Sequence, residues 1–168
     1  MIISQIVAVA QNGVIGKNNN LVWHMPSDMK FFMETTKGHC IITGRKNYES
    51  IPERFRPLKD RTNIVVTRQA DYIAPGAILV PTIDEAIEKA RESGESECFI
   101  IGGGEVFKQT LNLCDRIYYT QIHHSFDGDV FYPALDLNTW VEVAARHCKA
   151  DEKNPHDYSF LTYEKRRH

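Results

Sequence analysis

Six short apolar runs rich in β-branched residues punctuate the chain, at 2–10, 39–43, 62–67, 77–80, 97–101 and 116–122. Helical patterns separate several of them. Strands covered on both faces read as continuous apolar runs, and helical crossovers between strands imply parallel pairing. The pattern therefore predicts an α/β domain with a largely parallel sheet. The clearest helix is TIDEAIEKARESG at 82–94, where Thr82 or Asp84 can cap, Ile83, Ala86, Ile87 and Ala90 form the buried stripe, and Gly94 ends it. Residues 139–147 and 157–166 are extended segments joined by a polar stretch, which reads as an antiparallel pair closing one edge of the sheet. With 168 residues, no repeats and no linkers, the expectation is one domain spanning 1–168.

A net charge of −2 and a charged share of 25% do not suggest a polyanionic partner, so nucleic acid is not expected. The terminal EKRRH reads as a solvated end. Cys40, Cys98, Cys114 and Cys148 show no CxxC or CxxH spacing. They are expected as free thiols of a cytoplasmic protein. IVAVA at 6–10 is expected to be a first core strand rather than a leader, because no Lys or Arg precedes Lys17. No segment approaches the roughly 20 apolar residues a membrane span needs. His123 and His124 are adjacent on a predicted strand and should face opposite ways, and the other histidines lack ligand spacing, so no metal is expected.

LVWHMPSDMKFFMETT at 21–36 raises a sharper question. Pro26 suits a first helical turn, and a helix should begin between Met25 and Ser27. At about 100° per residue, Met25, Phe31, Phe32 and Thr35 fall within roughly 60° of Asp28, with Met29 and Met33 extending the arc. The Asp28 carboxylate is thus predicted to face inward, where its pKa should rise. It is either a first-turn acid serving the helix dipole or a group whose partner is a ligand.

Three strand ends carry phosphate chemistry. In CIITGRKNYESI at 40–51, a strand meets Gly44, then Arg45 and Lys46 open a short helix; this is a phosphate site or an ordinary turn with solvated bases. TNIVVTRQ at 62–69 ends a strand in Thr67 and Arg68, a weak signal by itself. CFIIGGGEVF at 98–107 sets three glycines between a strand and a helix, which implies a backbone pressed against something. It is not the dinucleotide fingerprint, because Phe107 stands where the last glycine belongs. A dinucleotide lying across several strand ends would use all three segments.

Along nearly its whole length the chain resembles the dihydrofolate reductases of the bacterial chromosomal type. The resemblance rests on IVAVAQNGVIG, then Trp23, Pro26 and Asp28, TGRKNYESI, RPLKDRTNIVVTR, IIGGGEVF, the strand ending at Thr120, GDVFYP and HDYSF, in that order. It implies a mixed, mostly parallel sheet with an antiparallel C-terminal edge strand and helices on both faces. It also implies NADPH-dependent reduction of 7,8-dihydrofolate to tetrahydrofolate for one-carbon metabolism. Asp28 would hold the pterin 2-amino group and N3 and favour protonation at N5, Thr120 would hydrogen-bond Asp28, and Trp23 would position a water. Ile6, Val7, Ala8, Met29, Phe32, Ile51, Leu58 and Ile101 would line the folate pocket, with Arg61 on the glutamate tail.

By the same resemblance, Ala8, Ile15, Asn19, Gly44, Arg45, Lys46, Asn47, Thr67, Arg68, Ile101, Gly103, Gly104, Glu105, Val106 and Phe107 match cofactor contacts. Arg68 and Arg45 would meet the 2′-phosphate, and the Gly103–Gly104 bond would be cis. The chain departs from the family pattern at Asn47, where threonine is common, at Phe107, where tyrosine is frequent, and at Lys59-Asp60, where Pro-Gly is usual. A monomer is expected. Another NADPH-dependent reductase of the same fold acting on a pyrimidine would not need Trp23 with Asp28, and a noncatalytic pterin or nucleotide binder would show no turnover.

Overall fold

The strand that organises the sheet is the first, β1 (Ile2–Ala10), which pairs in parallel with β6 (Glu97–Gly102) on one side and β7 (Arg116–Ile122) on the other. In the computed structural model, which describes residues 1–18 and 20–167, the eight-stranded sheet has the order β5-β4-β3-β6-β1-β7-β10-β9. Asn19, an expected cofactor contact, lies outside the described residues. Outward from β6 run β3 (Cys40–Gly44), β4 (Thr62–Val66) and β5 (Ile78–Val80), all parallel. Each of the six apolar runs is a strand.

The antiparallel pair is β9 (Trp140–Cys148) and β10 (Tyr158–Lys165). The last strand, β10, pairs antiparallel with β7 and sits one place in, so β9 forms the rim. Burial explains the order: β10 brings Tyr158, Ser159 and Phe160 inside, whereas β9 is exposed along most of its length.

Helices cover both faces. Along β1, Ile6 joins Ile41 and Phe99 beneath Phe31 and Phe32 of α1 (Pro26–Thr36). The alternate residues Val7 and Val9 join Ile42, Ile64 and Ile100 on the other face, under α3 (Ile83–Glu92) and Phe107 of α4 (Gly104–Thr110). The Thr82 hydroxyl caps α3 by accepting the Glu85 N–H at 3.1 Å, and Ala86, Ile87 and Ala90 are its buried stripe. The short α2 (Arg45–Ser50) follows β3 directly. His123 and His124 do point apart: the first bonds Ser159, the second stacks on His156.

A second, two-stranded sheet pairs β2 (Val14–Gly16) with β8 (Val130–Phe131). Lys17 forms an ion pair with Asp127, and the Asn18 N–H donates to the Asp129 carboxylate at 3.2 Å. Gly128 makes the approach possible, since a Cβ there would lie 2.3 Å from Val14 Cγ1 and 2.7 Å from the Gly16 carbonyl. Gly128→Ala should therefore force β2 and β8 apart and cost about 1–3 kcal/mol. Urea denaturation should give a lower midpoint at an unchanged slope; an unchanged midpoint would mean that the two strands do not pack this way.

Candidate active site

The N-terminus of α1 is held from far along the chain. No side chain caps it at Met25. Instead buried Asn154, from the β9–β10 connection, accepts the Ser27 N–H at 3.0 Å and donates to Ser27 Oγ at 2.9 Å. Ser27 is thus capped rather than capping. That dock sets Asp28 at the end of the sheet beside Thr120 of β7, which is only 2% exposed. Burial pushes the Asp28 pKa up from the ordinary carboxylate range, and the Thr120 hydroxyl opposes the shift less strongly.

The inward arc is narrower than periodicity predicts. Phe31 packs on Phe160 at 4.5 Å and Phe32 joins the apolar floor, but Met29 and Met33 are 45% and 52% exposed. A helix lying on a sheet buries one stripe, and residues about 100° or more from its centre look outward. Met29 therefore stands at the rim. Trp23 packs on Phe126 with ring centroids 5.3 Å apart, beside Met25 and Ile122.

Beneath α1 the floor consists of buried Ile6, Ile41 and Phe99, with Phe32, Leu58, Ile101 and Tyr118 packed against it. Four of the expected pocket residues, Ile6, Phe32, Leu58 and Ile101, are thus together. Val7 is a correction: strand alternation sends its side chain into the opposite core, so it can offer the pocket only backbone. Ala8 stands opposite Thr120 in the β1–β7 register, and Ile51 ends α2.

Arg61 is aimed by its neighbours. Its Nε donates to the Lys59 carbonyl at 2.8 Å, Nη1 donates to Thr36 Oγ1 at 3.2 Å, and the guanidinium lies 6.0 Å from the Phe32 ring centre. Among the described residues it has no ion-pair partner. The residue behind it, missed by sequence reasoning, is buried Asn63. Its Oδ1 accepts the Leu58 N–H at 2.8 Å, and its Nδ2 donates to the carbonyls of Leu58 and Arg61 at 3.0 Å. An amide in an otherwise apolar strand run was the available signal.

On the other side the C-terminal ends of β3, β4 and β6 share one edge, as parallel strands must. A Cβ on Gly44 would lie 3.0 Å from Val106 of α4, so the two turns nearly touch. The cis bond is Gly102–Gly103, one residue earlier than expected, because Gly104 already begins α4. The three glycines have separate tasks: Gly102 takes φ +120°, Gly103 is the N-terminal flank of α4, and Gly104 lets Val130 of β8 approach, where a Cβ would lie 2.5 Å from it. Glu105 is exposed, whereas Phe107 is buried with its ring against Tyr132. Ile15 of β2 packs against the same core.

The cations differ in readiness. Arg45 Nη1 donates to both carboxylate oxygens of Glu49, at 3.0 and 3.1 Å. Lys46 and Arg68 are exposed and form no ion pair among the described residues. Thr67 donates its N–H to the Val80 carbonyl at 2.9 Å, and its hydroxyl accepts from Gln69. Glycine turns that admit close approach, two free cations and one exchangeable pair fit an anionic dinucleotide laid across these strand ends.

The sequence model of the family described as dihydrofolate reductase matches residues 2–165. The chain is 44% identical to the dihydrofolate reductase of Bacillus subtilis over 98% of its own length and 95% of that protein's. It is 43% identical to the dihydrofolate reductase of Haemophilus influenzae, over 96% and 97% respectively. A solved dihydrofolate reductase from Enterococcus faecalis, complexed with NADP(H) and RAB-propyl, superposes with a TM-score of 0.91 at 37% identity, covering 99% of this chain and 97% of that one. Likeness at this level over the whole fold, around a carboxylate set above an apolar floor, makes the chain a member of the dihydrofolate reductase family.

Proposed function

We propose that the chain reduces 7,8-dihydrofolate to 5,6,7,8-tetrahydrofolate with NADPH, Asp28 being the group that orients the pterin. The observation that carries this reading is a carboxylate with a raised pKa, beside the Thr120 hydroxyl and over an apolar floor, with no side-chain hydrogen bond of its own among the described residues. Its acceptor capacity is thus left for a ligand, and the 2-amino and N3 edge of a pterin supplies two donors. The bound cofactor supplies a hydride to pterin C6. Asp28, ionised and poorly solvated, raises the basicity of the ring it holds and so favours a proton at N5. Trp23 is assigned to an ordered water beside the ring. Phe31, Phe32 and Leu58 keep bulk solvent away, and Arg61, with no ion-pair partner among the described residues, offers the rest of its guanidinium to the glutamate tail. Arg68 and Arg45 are assigned to the 2′-phosphate that distinguishes NADPH from NADH.

Residues from Ile6 to Asn154 build the site within one chain, so residues 1–168 are read as one domain acting as a monomer. The net charge of −2 supports small-molecule partners over nucleic acid. The thiols of Cys98 and Cys114, pushed up to about 12 by burial, suit a reducing cytoplasm.

Asp28→Asn should lower turnover by about 10²–10⁴-fold, most severely near neutral pH where N5 protonation limits, while NADPH affinity stays within about twofold. Absorbance decay in the NADPH band with dihydrofolate measures this; an undiminished rate removes the reading. The same variant tests the burial. Because its folded-state pKa is raised, Asp28 stabilises the fold while protonated, and that contribution is lost as pH rises from the ordinary carboxylate range through the raised value. Asp28→Asn should thus melt higher than wild type at pH 7, with the gap closing on acidification below the ordinary range. A pH-independent gap would mean that burial does not penalise the charge. For the cofactor, Arg68→Glu should weaken NADPH by about 10- to 100-fold and NADH by about threefold or less, read by fluorescence titration. Equal weakening would put the 2′-phosphate elsewhere.

A further inference from the structure

Asn47 lies in the first turn of α2, behind the glycine turn at the end of β3, and its side-chain amide reaches into the protein. Nδ2 donates to Thr43 Oγ1 at 2.9 Å and to the Ile101 carbonyl at 3.4 Å. The Ile101 carbonyl can only accept, which fixes which end of the amide faces it. Thr43 Oγ1, holding the Asn47 N–H, in turn donates to the Gly102 carbonyl at 3.0 Å. Two routes therefore cross from the β3–α2 turn to the β6–α4 turn, one direct and one relayed. Packing follows the same line: a Cβ on Gly102 would lie 3.6 Å from Asn47 Nδ2, and one on Gly103 3.8 Å from Asn47 Cβ.

The donor count then decides what Asn47 can do. A primary amide has two N–H groups, and both are engaged inside the protein. Its Oδ1 accepts no hydrogen bond among the described residues, and an acceptor offers nothing to a phosphate oxygen. Thr43 is fully buried and cannot reach a ligand itself. We infer that Asn47 is a positioning residue for the dinucleotide: it holds the β3–α2 and β6–α4 turns in fixed register, acting through Thr43 and the Ile101–Gly102 backbone rather than by touching the cofactor. This rests on the reading that NADPH lies across both turns. It also reassigns the departure from threonine at position 47, from a changed ligand contact to a brace between two contacts.

A double-mutant cycle on equilibrium NADPH binding tests it, using Asn47→Ala, Thr43→Val and the pair, with fluorescence titration as the readout. Each single variant should weaken NADPH by about tenfold, the pair no more than about twofold beyond the worse single, and KM for dihydrofolate should stay within about twofold. Thr43→Ser keeps the hydroxyl and should bind as wild type does, which separates loss of the relay from loss of packing. In the cofactor-free protein, the amide resonances of Gly102 and Gly103 should shift the same way in Asn47→Ala and Thr43→Val. The inference is overturned by unchanged NADPH affinity in Asn47→Ala, by losses that multiply in the pair, or by weakened binding with unmoved glycine resonances, which would signal direct contact. Wild type that binds no NADPH would instead overturn the proposed function.

Discussion

Insertion of β6 between β3 and β1 is the constraint from which the site follows. Parallel strands all end at one edge, so this insertion brings Gly102 opposite Thr43 although 58 residues intervene between them in sequence. The register shift between Ile42 and Thr43 bends the ladder at that point. On the other flank of β1, β7 brings Thr120 opposite Ala8. In the proposed function the two neighbours of one strand divide the labour: β6 with β3 would serve the dinucleotide, and β7 with the β1–α1 connection the pterin.

Asp28 shows what such a site costs the fold. A carboxylate fully satisfied by protein donors would be stable and useless, because no acceptor capacity would remain for a ligand. One held by nothing would be protonated or expelled. The neighbouring Thr120 hydroxyl, which favours the charged form less strongly than burial opposes it, leaves it between those limits, and the raised pKa is the mark of that compromise. Holding it there requires α1 to be seated independently of Asp28. That is done by the Asn154 bonds to Ser27 and by Phe31 against Phe160.

The parallel strands and α3 were legible because burial on both faces or along one stripe leaves a periodic trace. The inward aim of Asp28 was legible for the same reason, though the stripe was overestimated at Met29 and Met33, since periodicity gives angle but not the width of contact. β2 and β8, with three and two residues, have no period to detect. Resemblance supplied most of the proposed site positions, yet it could not tell side chain from backbone at Val7 or locate the cis bond within three identical glycines. The place of Asn63 in an apolar run marks it, but its role and that of Asn154 were not legible, because an amide's role is set by its partners, five residues away for Asn63 at Leu58 and 127 for Asn154 at Ser27.

Asn63, Asn154 and Asn47 use one device: a buried or half-buried amide, donating and accepting in the first two and donating twice in the third, ties a loop to a regular element without carrying charge. Arg45, proposed above to meet phosphate, needs a different solution, because a cation with that task cannot be tied down permanently. Its bond to Glu49 spans one helical turn and is partly exposed, a class of pair worth about 0.3–0.5 kcal/mol. That is enough to orient the guanidinium and small against the 1.5–3 kcal/mol or so of a charged hydrogen bond to an incoming phosphate. Permanent amide braces under the turns and a weak, exchangeable ion pair at their mouth together make a frame that is rigid where geometry matters and open where charge must be traded.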